Sequence, residues 1–167
     1  MNDSLRDLFD HHLWATKTLI DACRVLTDEQ LTSPGAASFG TISETLNHFV
    51  GSDAHYLRQL GGEPPAWIEM REDVGLDDLA RRVDDMAAAW GTFLDVGEFD
   101  PQQELVLPED EGVYRTHAGI VLAQVLMHGT LHREQVCSML TALGIEPPDL
   151  QPWSYADTTG LGRFAAE

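Results

Sequence analysis

A helical spacing of apolar residues recurs in four long segments and is the feature that most constrains this fold. The segments run from about residue 4 to 26, 41 to 60, 77 to 94 and 116 to 143, with apolar side chains every three or four positions. Strand-like alternation is weak in the rest of the chain. We therefore predict an all-α protein, most simply a four-helix bundle that buries the apolar face of each helix.

Local signals mark where these helices start and stop. Thr41 and Glu44 have the spacing of a capping box at the start of the second helix. Gly97 is expected to end the third helix and Gly144 the fourth. Residues 104–115, between the third and fourth helices, fit either a short hairpin or an extended crossover loop. This connection is long enough to cross the bundle, so up-down-up-down order is not required.

The chain length fits a single domain. A chain of 167 residues can build its own hydrophobic core without disulfides or a partner. We expect residues 1–167 to form one bundle domain, in which residues 145–167 are a C-terminal tail packed on the bundle. The tail contains Gly and Pro and has no strong period, so no further long helix is predicted there.

Acidic residues outnumber basic ones, and the balance excludes several partners. The chain has 28 Asp and Glu against 10 Lys and Arg, a formal net charge of −18. Such a surface repels phosphate backbones and anionic lipids, so we expect neither nucleic acid nor a membrane as partner. The first residues lack the basic and apolar regions of a secretory signal. Cys23 and Cys137 are predicted to be buried, reduced thiols, which together with these features favours a cytoplasmic protein.

Two of the seven histidines form the strongest chemical motif. His128 and His132 are four residues apart in the fourth predicted helix, so both imidazoles lie on one face about one turn apart. Two ring nitrogens at that spacing can bind one ion at about 2.0–2.1 Å. The helix is apolar on nearly all sides, and a shared cation would satisfy two imidazoles inside a bundle. The alternative is a pair of hydrogen-bonded or surface histidines without a metal.

A third ligand would have to come from another helix. His48 borders the apolar stripe of the second helix and is the best candidate, while His55, two turns further on, is its rival. His12 lies in the stripe of the first helix, where it could reach the same interior or bond a carbonyl or an acid. Three imidazoles leave an ion with an open position, as in catalytic sites, and favour Zn²⁺, Ni²⁺, Co²⁺ or Fe²⁺ over Mg²⁺ and Ca²⁺.

Three segments together resemble a known family. Residues 128–136, followed by the prolines at 147–148, are similar to the last helix of the DinB/YfiT-like metalloenzyme superfamily. Residues 43–48 resemble its second-helix motif, and residues 9–15 resemble its first-helix motif. The resemblance extends from about residue 5 to 150, and the combination of one distant histidine with the histidine pair is more specific than any single segment.

The resemblance carries expectations about fold, metal and assembly. It implies an up-down-down-up bundle, a divalent metal (usually zinc or nickel) held by His48, His128 and His132, and a homodimer. Two positions depart from the family pattern. His12 stands where Asn is common, so it could modify the pocket or add a ligand, and Glu134 stands where Gly is common.

The resemblance also implies a class of chemistry. Characterised members include low-molecular-weight thiol S-transferases, in which a metal favours the thiolate that attacks an electrophilic small molecule. The same site could activate water for hydrolysis, or it could bind metal without catalysis. Glu44 is expected to cap its helix or act as a base. Arg133 could hold a carboxylate of a thiol cosubstrate or pair with Glu134 or Glu44.

Overall fold

The computed structural model describes residues 3–35, 39–70, 72–95, 99–109 and 112–163. The expected stop of the third helix at Gly97 and the last four residues of the tail lie outside these ranges. No helix in the described part of the chain is long and apolar enough to cross a membrane.

Within the ranges just given, the fold consists of six α-helices and one hairpin. The four long helices match the four predicted segments and confirm the all-α prediction, and two short helices were not expected. The helices are α1 (Asp3–Ala22), α2 (Asp28–Thr32), α3 (Ile42–Gln59), α4 (Leu76–Asp95), α5 (Ala118–Ala142) and α6 (Pro152–Thr159). Short 3₁₀ turns cover Cys23–Val25, directly after α1, and Ala66–Glu69.

Capping explains the two helix starts that follow α1. The Thr41 hydroxyl accepts a hydrogen bond from the Glu44 amide, and the Glu44 carboxylate accepts one from the Thr41 amide, which confirms the predicted capping box of α3. Thr27 and Gln30 form a second capping box at the start of α2. The extended backbone that Thr27 needs as a cap explains why α1 does not simply continue.

The C-terminal end of α5 is also set locally. Gly144 follows the helix with φ of 75°, a left-handed conformation that favours glycine, so the predicted stop is confirmed. The start of α5 lies slightly later than expected, at Ala118, because the two preceding residues still pair in a strand.

That strand belongs to a hairpin between α4 and α5. Strand β1 (Glu104–Glu109) pairs antiparallel with β2 (Gly112–His117), in a register that places Val106 opposite Arg115. Of the two alternatives for this connection, the hairpin is therefore the observed one. Leu105 turns inward and packs in a small cluster with the first turns of α5.

Helix contacts define the arrangement of the bundle. α1 packs against α4 and α5, and α3 packs against the same two helices, so α1 and α3 are diagonal to each other. Arg6 near the start of α1 pairs with Asp95 at the end of α4, and Arg24 just after α1 pairs with Asp77 in the first turn of α4. These two helices are therefore antiparallel.

Two further contacts fix the direction of α3. Gln124, early in α5, donates to the Tyr56 hydroxyl late in α3, so α3 and α5 are antiparallel. The Asn47 side chain, early in α3, bonds both backbone groups of Val74, just before α4, so α3 and α4 are parallel. The helices thus run up, down, down and up, as the resemblance implied, and α3 and α4 are the two parallel helices that follow each other in the chain.

The core is mostly apolar, and several polar side chains are buried with it. Large aromatic and aliphatic side chains fill the space between the four long helices, among them Phe9, Phe49 and Trp90. Cys23 and Cys137 are buried free thiols, as predicted. His12, Asp53 and Arg133 are also buried, and their position beside the histidines of α5 connects the core to the candidate site.

Candidate metal centre

Three histidines from two helices converge on one point. His48 comes from α3, and His128 and His132 come from adjacent turns of α5. The His128 Nε2 atom lies 3.2 Å from His48 Nε2 and 3.1 Å from His132 Nε2. The three ligand atoms all lie within 4.8 Å of one another. Bond lengths of about 2.0–2.1 Å in tetrahedral geometry separate neighbouring ligands by about 3.3 Å, so these residues can hold a metal ion.

The protonation of the cluster suits a cation. Burial, and then the neighbouring His132 and His48, lower the pKa of His128 to about 4. Burial and His132 also lower the pKa of His48. Both rings are therefore neutral near pH 7, with lone pairs free to bind a metal.

A hydrogen bond sets the tautomer of His132. Its Nδ1 lies 2.8 Å from the Gln135 Oε1, an oxygen that can only accept, so Nδ1 carries the proton. The Nε2 atom then presents a lone pair to the cluster. Holding a ligand histidine through its other nitrogen is the usual way in which proteins orient metal-binding imidazoles.

One of the three histidines, His48, borders a cavity. A cavity of about 350 Å³ adjoins His48 and is also lined by Phe39, Glu44, Asn47 and Asp73. The Phe39 ring stacks on the His48 imidazole, with ring centroids 4.0 Å apart. A small molecule in this cavity would therefore lie beside His48 and meet one apolar wall and two acidic side chains.

His12 stands beside the cluster and has other partners. Its Nε2 lies 2.7 Å from Asp53 Oδ2, and its Nδ1 lies 3.1 Å from an Arg133 NH group. Because the guanidinium only donates, Nδ1 accepts, and Nε2–H donates to the carboxylate. Both ring nitrogens are thus occupied, which fits the alternative that His12 bonds an acid and not the one that makes it a fourth ligand.

His55 lies apart from the three converging histidines. It is exposed on α3 and lines a different cavity with Trp67 and Arg82. Of the two candidate histidines on α3, the structure therefore brings His48, not His55, to His128 and His132. Metal binding by these residues stays a prediction.

The two predicted catalytic residues both have structural partners. The Glu44 carboxylate accepts a hydrogen bond from the Thr41 amide, and this bond lowers the pKa of Glu44. Of the two roles expected for Glu44, the structure therefore favours the helix cap over the base. Arg133 is buried and donates to His12, to the Thr16 hydroxyl and to the Thr130 hydroxyl. Its hydrogen-bond partners thus lie on α1 and in its own helix, and neither Glu134 nor Glu44 is among them.

Sequence reasoning missed Asp53 and Gly129. Asp53 occupies a position on the apolar stripe of α3, between Phe49 and Leu57, and an acid at such a core position was an available signal. Gly129 lies inside α5, where glycine is unfavourable. A Cβ atom there would stand 2.3 Å from the His12 ring, so the glycine permits the close approach of α1.

Comparison with known proteins identifies the family of this bundle. The DinB family model matches residues 1–163. The chain belongs to the DinB family. Among family relatives, the Protein DinB of Bacillus subtilis (strain 168) is 23% identical, over 86% of this chain and 88% of the relative.

A solved structure shares the fold. It is YfiT from Bacillus subtilis, described as a probable metal-dependent hydrolase with an unusual four-helix bundle topology. It matches with a TM-score of 0.65 and 16% identity, over 87% of this chain and 91% of YfiT. The four-helix bundle seen here is thus shared with YfiT over most of both chains.

Proposed function

We propose that this DinB-family protein is a metal-dependent hydrolase acting on a small molecule. The observation that supports it most is the convergence of three imidazole Nε2 atoms beside an open cavity. Three neutral ligands leave a bound ion its full charge and an open coordination position, which is the arrangement of catalytic sites. The description of YfiT as a probable metal-dependent hydrolase supports the same reaction class.

The residues of this chain would divide the work between holding and positioning. His48, His128 and His132 would hold the ion, and Zn²⁺ or Ni²⁺ suits three nitrogen ligands. A divalent ion there supplies Lewis acidity, which favours the deprotonated forms of water and thiols and polarises a carbonyl. Phe39 would pack against an apolar part of the substrate, and Asn47 would offer an amide at the cavity wall.

Thiol S-transfer is the second candidate, because the same open position would bind a thiolate. The resemblance to the DinB/YfiT-like superfamily supports it. The hydrogen bonds of Arg133 argue against the version of this hypothesis in which Arg133 binds the thiol cosubstrate. Arg133 is buried against α1 and already donates to four acceptor atoms, so it would not be available for the carboxylate of a thiol cosubstrate. Glu44 and Asp73 at the cavity would also repel such a carboxylate.

Elemental analysis tests the metal site first. The unmodified protein and three variants, His48→Ala, His128→Ala and His55→Ala, would be loaded with zinc or nickel and freed of excess metal. We expect about one ion per chain in the unmodified protein and in His55→Ala, and a large loss in the other two. His55→Ala is the matched control on the same helix. Equal metal content in all four proteins would contradict the site.

Activity assays then separate the classes. The loaded protein would be given a panel of chromogenic esters and amides, and separately a panel of cellular thiols with a generic electrophile. A hydrolase cleaves at least one ester in a metal-dependent manner that His128→Ala abolishes. Thiol consumption without ester cleavage would instead support the transferase, and a loaded but inactive protein would support a non-catalytic metal-binding module.

A homodimer remains our proposal for the assembly. The outer face of α5 exposes three large apolar side chains at helical spacing, Ile120, Met127 and Leu131. Burying these apolar side chains against each other would favour the association of two strongly acidic copies. Sedimentation velocity of the unmodified protein and of Leu131→Glu tests this, since the dimer should be lost in the variant.

A further inference from the structure

Two buried polar atoms near the cluster lack a hydrogen-bond partner. Among the described residues, Asp53 Oδ1 and His128 Nδ1 are both buried side-chain atoms without a bonding partner. An unsatisfied buried polar atom costs about 1–3 kcal/mol, so native proteins retain few of them. One of these atoms is a carboxylate oxygen, and the other is a ring nitrogen that can carry a proton.

The two groups lie on facing sides of α3 and α5. Phe49, one turn before Asp53, stacks on the His132 ring with ring centroids 6.2 Å apart. Tyr56, three residues after Asp53, meets the His128 ring edge-on with centroids 5.7 Å apart. Asp53 therefore lies on α3 between two residues that contact the histidines of α5. The two unpartnered atoms thus belong to neighbouring groups on α3 and α5, one able to accept and the other able to donate.

The Asp53 carboxylate is held in place from its other oxygen. His12 Nε2–H donates to Asp53 Oδ2, and Arg133 donates to His12 Nδ1, as described above. Thr16 and Thr130 hydroxyls accept from the same guanidinium. The His12 imidazole thus links the buried Asp53 carboxylate to the buried Arg133 guanidinium, and their opposite charges offset each other. In this group of three residues, Asp53 Oδ1 is the acceptor that has no donor.

We propose that Asp53 is a positioning residue for the metal ligand His128, and that its Oδ1 accepts the Nδ1–H of that ring when Nε2 binds the ion. The inference rests on the metal site proposed above. Nε2 of His128 points at the other two histidines, so a bound ion forces the ring proton onto Nδ1. A buried Nδ1–H then needs an acceptor, and a carboxylate is a common one for metal-binding histidines.

Asp53→Asn tests the proposal because it keeps the side-chain shape. The Asn carbonyl can still accept from His12, so the amide NH₂ would face His128. That NH₂ donates, and it would favour the tautomer with the proton on Nε2, where it blocks metal binding. We expect zinc affinity, measured by competition with a chromophoric chelator, to fall about 10–100-fold. Asp84→Asn, at an exposed position on α4, is the matched control and should bind zinc like the unmodified protein.

A second measurement keeps the test decisive if Asp53→Asn fails to fold. Long-range ¹H–¹⁵N spectra of the zinc-loaded, unmodified protein should show His128 protonated at Nδ1, with a proton that exchanges slowly with water. Folding of each variant would be checked by circular dichroism. A folded Asp53→Asn with unchanged zinc affinity, or a His128 that binds zinc through Nδ1, would overturn this inference alone. Failure of the unmodified protein to bind zinc or nickel would overturn the proposed function together with it.

Discussion

Gly129 lies between the two histidines that α5 supplies, and replacing it by alanine tests the packing beneath the cluster. The added Cβ would stand 2.3 Å from Cε1 and 3.0 Å from Nδ1 of His12, and 3.0 Å from an Arg133 nitrogen. His12 is only 1% exposed and is held by Asp53 and Arg133 on opposite sides of its ring. The ring cannot move away without breaking at least one of these bonds.

The size of the effect follows from three contributions. Glycine to alanine inside a helix normally stabilises by about 1 kcal/mol. Overpacking a filled core costs about 1–3 kcal/mol. Losing a buried hydrogen bond to a charged group costs about 1.5–3 kcal/mol more. We therefore expect Gly129→Ala to lower the free energy of unfolding by about 3 kcal/mol, which for a chain of this size lowers Tm by about 6–12 °C.

Urea and thermal unfolding followed by circular dichroism measure this difference. Gly51→Ala is the matched control, because Gly51 also lies inside a helix and an added Cβ there meets nothing within 4 Å. The control should gain up to about 1 kcal/mol of stability. If Gly129→Ala is as stable as Gly51→Ala, His12 does not pack closely under α5.

Three further predictions concern the cap, the cluster and the thiols. Thr41→Ala should lower the free energy of unfolding by about 1 kcal/mol in urea titrations, whereas Glu44→Gln should retain both the cap and the stability; a stable Glu44→Gln without hydrolytic activity would instead indicate a base. The pKa of His128 is about 4 in the folded protein against 6.5 for an ordinary histidine. Between these two pH values His128 is therefore protonated in the unfolded chain but not in the folded one. The stability of the metal-free protein should therefore fall as the pH drops from about 6.5 to about 4, and less so in His128→Gln; equal slopes would refute this reasoning. Burial raises the pKa of Cys23 to about 12 and that of Cys137 to about 11, so native protein should resist iodoacetamide at pH 8 and react once unfolded, as mass spectrometry would detect.

Several features could be predicted from the sequence because they depend on nearby residues. Helical periodicity located the four long helices, and the spacing of Thr41 and Glu44 located the start of α3. The sequence does not decide between a hairpin and a loop at residues 104–115, because a short apolar run flanked by turn residues fits both. The pairing of β1 with β2 is a tertiary outcome. The helix α6 in the tail was not predicted, since it has eight residues and no strong apolar stripe. The ring of its Tyr155 packs against the ring of Trp14 in α1, with ring centroids 5.4 Å apart. Local sequence patterns do not reveal such a long-range contact.

The sequence by itself determined the pair at the centre of the candidate site. A spacing of four in a helix places His128 and His132 on one face whatever the rest of the fold does. The tertiary structure decided which other side chains meet them. His48 and His55 are both on α3, and only the rotation of that helix against α5 brings His48 to the pair. The close approach of α1 to α5 likewise engages His12 and Arg133 with each other. Distances within a helix are fixed by its geometry, whereas distances across the bundle depend on how the whole core packs.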